Sequence, residues 1–172
     1  MDNQELLQKA RERVEARHKQ EFIDDFESGK KHRTDLLREN IKGGAQFIYG
    51  VPVLTDGKLT SFKMMTYQKV YDGDGRGFSG PSTPYKGKNN KQICFTVDEY
   101  LKFEQDFNSK DFRPGVQWQI EQKEAEIQQE AEKIQQEAEK IQQEAVLQEK
   151  KENRPINKLL SRIFNKHKGQ SL

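Results

Sequence analysis

Residues 131–137, Ala-Glu-Lys-Ile-Gln-Gln-Glu, are followed by the same seven residues at 138–144. No other feature restricts the fold as strongly, because an apolar repeat of seven suits a helix and not a strand. Ile120, Ile127, Ile134 and Ile141 stand seven apart, and Ala131, Ala138 and Ala145 each fall four after the preceding isoleucine. In heptad notation Ala takes a and Ile takes d, with Glu137 and Glu144 at g and Gln135 and Gln142 at e. The segment 113–150 therefore predicts a projecting helix, about 50 Å long from Val116 to Lys150, whose narrow stripe it cannot cover itself. A second copy of the chain satisfies the stripe, making Ile120, Ile127, Ala131, Ile134, Ala138, Ile141 and Ala145 an oligomerisation seam. So does another helix of the same chain. A solvated single helix is the third option, since Ala, Glu, Gln and Lys are dense here. Ala at a contributes little burial and matches no standard dimer rule, so the sequence leaves stoichiometry and helix orientation open.

Charge is segregated along the chain. The whole carries 30 Lys+Arg against 28 Asp+Glu, so net charge predicts no partner. Within 113–150, however, nine acids face five bases, while 151–172 holds six bases and the single acid Glu152. The last segment is a basic amphipathic tail. Pro155 predicts a break before a new helix, whose apolar positions are Ile156, Leu159, Leu160, Ile163 and Phe164 among Lys158, Arg162 and Lys166. Such a stripe suits a groove on a partner protein, an anionic membrane surface or nucleic-acid phosphates, and it also suits folding back onto the head.

Upstream, Leu7, Ala10, Val14, Phe22 and Phe26 recur at helical spacing, with Asp2 and Glu5 as a capping pair and Ser28-Gly29 as a break. A shorter helix is expected around Asp35 to Ile41, giving an N-terminal helical arm over 1–42. Residues 43–112 shift to β-branched, aromatic and glycine residues and form the expected small α+β head. Asp56-Gly57 between apolar runs predicts a hairpin, with Pro52 confined to an edge or a bulge. A long loop is expected over Asp72 to Asn90, then a short strand over Gln92 to Phe95 with Cys94 as a buried, inert thiol. Thr96 and Glu99 have capping-box spacing ahead of a helix with Val97, Tyr100, Leu101 and Phe107 on one side. The expected fold class is α+β: N-terminal helices packed on a small antiparallel sheet with one capping helix, then the heptad helix and the tail.

Chemistry-bearing patterns are sparse. Asp72-Gly-Asp-Gly-Arg-Gly77 starts like a calcium loop, but Arg76 and Thr83 stand where ligands are required, so a glycine-rich turn is expected. Lys86, Lys88 and Lys91 are candidate phosphate contacts, with solvated loop lysines as the plain alternative. His18, His32 and His167 share no metal-ligand spacing, and the one cysteine cannot form an internal disulfide. No cofactor, metal site or catalytic constellation is predicted. Residues 1–30 lack the apolar core of a signal peptide, and no run approaches the roughly 20 apolar residues that span a bilayer. The expectation is a cytoplasmic, non-enzymatic interaction or scaffold protein, a homo-oligomer with an unknown protein partner and with peripheral membrane contact through the tail left open. An accessory nucleic-acid-binding protein is the alternative, and a small enzyme using the glycine-rich loop is a weaker one.

Overall fold

The structure is a computed structural model that describes the backbone of residues 2–167 and the side chains of residues 2–151. In chain order its elements are α1 (Asn3–Glu27), β1 (Leu37–Ile41), β2 (Gly44–Thr55), β3 (Lys58–Tyr71), β4 (Gly77–Ser79), β5 (Thr83–Pro84), β6 (Cys94–Phe95), α2 (Val97–Asn108) and α3 (Pro114–His167). Helices and an antiparallel sheet are thus mixed, in keeping with the α+β expectation. The chain divides into two compact units. One joins the residues up to Val14 to those from Glu124 on, and the other is Glu15–Lys123. Both dividing points fall inside long helices, whereas the sequence pattern places boundaries at the composition shifts after residues 42 and 112.

In the unit Glu15–Lys123, Asp56 and Gly57 turn the β2–β3 hairpin with φ of 51° and 75°, the left-handed pair that a two-residue turn of type I′ needs. Pro52 lies past the end of β1, which pairs only with Gly44 to Ile48, and the register shifts just beyond it between Val53 and Leu54. Its missing N–H therefore leaves no ladder position empty. Thr34 continues the pairing there: its N–H donates to the Gly50 carbonyl at 2.9 Å, and its buried hydroxyl accepts from the Gly50 N–H at 2.7 Å. A Cβ at Gly50 would meet the Phe62 side chain at 3.0–3.2 Å, so a larger residue there has to displace that core side chain by a few tenths of an ångström. On the other edge of β3, the short strands β4, β5 and β6 pair in turn with Lys69–Tyr71, Met65–Thr66 and Phe62–Lys63.

One face of this sheet carries Leu37, Ile48, Phe62 and Met64, which with Phe26 of α1 and Val97 and Tyr100 of α2 form the buried core. Aromatic rings set its geometry: Phe62 lies 5.1 Å from Phe26 and 4.9 Å from Tyr100, centroid to centroid. Phe22 and Phe26 of α1 thus pack against Phe62 of the sheet. Thr96 caps α2 reciprocally, its hydroxyl accepting from the Glu99 N–H while the Glu99 carboxylate accepts from the Thr96 N–H at 2.8 Å.

Four local expectations are corrected. Residues 37–41 form a strand and not a helix; Leu37 and Ile41 are four apart, a spacing that fits one helical turn and two strand repeats alike, and pairing with β2 decides between them. The stretch 72–90 is not wholly loop, since β4 and β5 lie within it. Cys94 is exposed, because in the Ile93-Cys94-Phe95 alternation its neighbours take the inward positions. Finally, α3 runs through Pro155 as one helix; a prolyl residue removes one intrahelical hydrogen bond, and the turns on either side keep their own. No helix of the described residues is long and apolar enough to cross a membrane.

Candidate interaction surface

The heptad helix meets its first neighbour within the unit formed by residues up to Val14 and from Glu124 on. Ile127, Ala131 and Ile134 are 3–5% exposed and pack on Ala10 and Val14 of α1, both fully buried, with Leu6 and Leu7 at the margin. The small Ala10 and Ala131 are both buried in this contact beside Val14, Ile127 and Ile134. Polar contacts follow the same contact line. The Arg13 guanidinium lies 3.5 Å from the Glu130 carboxylate and 3.6 Å from that of Glu137, and Lys133 reaches Glu130 at 4.0 Å. Arg13 is 43% exposed, so these pairs orient the helices more than they hold them.

The seven seam residues therefore have different environments. Ile127, Ala131 and Ile134 are covered by α1, which is the intramolecular option left open by the repeat. Ile120 and Ala138 are half-buried, and Ile141 and Ala145 are exposed, Ile141 to 66%. The change comes one heptad after full cover, within an exact sequence duplicate. Leu6 is the first apolar residue of α1, so that helix has nothing left to lay on Ile141.

Two exposed large apolar residues of this unit fall outside the repeat. Val146 and Leu147, at 49% and 57%, stand about 140° and 120° round the helix from Ile141, on faces that one neighbour cannot cover together with it. Their only sequence signal is that they are apolar at positions b and c. The tail residues Ile156, Lys158, Leu159, Leu160, Arg162, Ile163, Phe164 and Lys166 lie outside the residues whose side chains are described.

In the unit Glu15–Lys123, Lys86, Lys88 and Lys91 are brought onto one tight turn, closed by the Lys86–Gln92 bridge and by Asn90 at φ 59°. All three are exposed. The Asp72–Gly77 segment is the expected turn: the Asp72 carboxylate accepts from the Asp74 and Arg76 N–H groups at 3.1 and 2.8 Å, and Gly75 has φ 77°. Among the described residues, no group of three His, Cys, Asp or Glu side chains is arranged to hold a metal ion. A groove of about 820 Å³ beside β1, lined by Arg38, Phe103, Phe107, Asp111 and Phe112, has no counterpart in the sequence reading. It is lined by both charge signs, and the Arg113 side chain on Asp111 holds that carboxyl below its ordinary range. No protein-family model matches the chain, and no curated protein and no solved structure matches it either.

Proposed function

We propose that this chain is a non-enzymatic interaction protein that self-associates through the distal part of α3 and presents its basic C-terminal segment to a partner. One observation carries the reading. The heptad 131–137 is sealed by α1, and its exact copy at 138–144 leaves Ile141 two-thirds exposed, although both have the same demand for a facing helix. A second copy of the chain supplies such a helix with the matching repeat. One isoleucine and one alanine per chain make a weak contact, so association is expected only from roughly the high micromolar into the millimolar range.

Light-scattering chromatography of the full chain over that range, beside Ile141→Glu, tests the proposal. Expected are a mass above the monomer that rises with concentration and a monomeric variant. A wild-type chain that stays monomeric at about 1 mM, or an equally associated variant, removes the distal seam as an assembly element.

A further inference from the structure

We infer that the sheet face turned away from α1 and α2 binds single-stranded nucleic acid. Strand alternation sends Leu37, Ile48, Phe62 and Met64 into the core, so their neighbours stand on the opposite face. There the register sets Val51 beside Lys63, Tyr49 beside Met65, Phe47 beside Tyr67 and Ala45 beside Lys69, with Tyr71 two residues further along β3. Neither apolar cluster of the described residues includes a side chain of this face; Ala45 and Tyr49 on it are buried, so its accessible part is Val51, Lys63 and Tyr71 with the half-buried Phe47, Met65, Tyr67 and Lys69.

Its chemistry is rings and cations. The Phe47 and Tyr67 rings are half-buried and stacked, 5.0 Å apart at 17°, and Tyr49 packs on Tyr67 at 6.3 Å and 64°, so Phe47 has one ring neighbour and Tyr67 two. Tyr71 is 38% exposed, and the Lys69 ammonium lies 5.7 Å from its ring centre. Tyr49 is committed to the fold, with Arg33 over its ring and its hydroxyl donating to Ser82 at 2.9 Å. Lys63 and Lys69 bracket Met65 and Tyr67 over about 20 Å of strand. No Asp or Glu occupies this face in the register of β1, β2 and β3; Glu39 stands on the other side, opposite Gln46. Asp72 and Asp74 lie in the turn beyond Tyr71, where the Asp72 carboxylate is engaged by backbone amides.

A surface of ring faces interleaved with ammonium groups and free of carboxylates complements one polymer in particular, in which every unit offers a flat base and a phosphate. The lysine turn at 86–91 extends the same field, since Tyr85 and Ile93 hydrogen-bond to Met64 at both ends of that turn. Ring faces and phosphates are common to both sugars, so RNA and DNA are expected to bind alike.

Fluorescence anisotropy of the full chain with labelled oligothymidylate and oligouridylate about 15 nucleotides long tests this, titrated at several salt concentrations. Binding is expected for both strands. Lys63→Gln with Lys69→Gln, two surface changes that leave the core untouched, is expected to lower the salt-dependence slope by about 1.4. Tyr67→Leu is expected to weaken binding on the order of tenfold, and a duplex of equal length to compete at least about tenfold less well. Absence of binding overturns the inference. So does binding that survives both sets of substitutions, which places the phosphate contacts in the loop or tail lysines alone, and so does equal competition by the duplex.

Discussion

Truncating the two isoleucines of the duplicated heptad, Ile134→Ala and Ile141→Ala, separates local from tertiary effects in one experiment. Each change sits in the same seven-residue context, so the gain in helix propensity, up to about 0.5 kcal/mol, is common to both. Ile134 is 3% exposed against Ala10 and Val14. Removing three carbons there forfeits about 2.4 kcal/mol of transfer free energy at roughly 0.8 per group, and a cavity between the helices adds to it, within the usual range of about 2–5 kcal/mol. Ile141 is already 66% exposed, so only about a third of that term, near 0.8 kcal/mol, is at stake, and the propensity gain offsets most of it. Urea unfolding followed by far-ultraviolet circular dichroism at a few micromolar is expected to show a gap of about 2 kcal/mol between the variants. Equal losses in dilute solution refute the assignment of α1 as the cover of the first heptad only. At high concentration the loss at Ile141 is expected to grow, since self-association stabilises the folded chain by mass action.

Two further outcomes follow from the unit Glu15–Lys123. Thr96→Ala removes one half of the capping box on α2 and is expected to cost about 1 kcal/mol, while Thr96→Ser costs much less; thermal melts of both variants check this. Glu104 has its pKa raised above 4.5 chiefly by burial, against the hydrogen bond it accepts from the Tyr100 hydroxyl at 3.1 Å, with Asp35 pushing it up further and Lys31 and Lys123 opposing. The folded state then holds this proton more tightly than the unfolded one. Its stabilising contribution is complete below about pH 4.5 and is lost as pH rises through the folded value. Glu104→Gln, which keeps an acceptor for Tyr100, is therefore expected to raise the melting temperature at neutral pH, with the gain vanishing in acid. A gain that is constant with pH contradicts the burial argument.

Local signals proved readable wherever one short-range interaction decides the conformation. Asp56-Gly57 needs only its own left-handed φ values, and Thr96 with Glu99 needs only two backbone amides within reach. Asp2 and Glu5 are a third case, exchanging hydrogen bonds at 3.1 and 2.8 Å at the start of α1. Leu37 and Ile41 were ambiguous because four residues is a whole turn of helix and two repeats of strand, and only the partner strand removes the tie. Phe47, Tyr67, Lys63 and Lys69 carry no readable signal in the sequence for a related reason. Their alternation becomes visible only when the strands and their register are known, and which face is open depends on where α1 and α2 land.

By itself the sequence determined that residues 131–144 are helical and carry a stripe in want of a neighbour, because periodicity and propensity are properties of the chain alone. What covers that stripe was a tertiary decision. Ala131 and Ile134 are sealed by Ala10 and Val14, residues far away in sequence, while the identical Ile141 is left in solvent because α1 has run out of apolar side chains. Burial depends on what the rest of the chain brings to a surface, and two identical heptads encode the same helix without encoding the same environment.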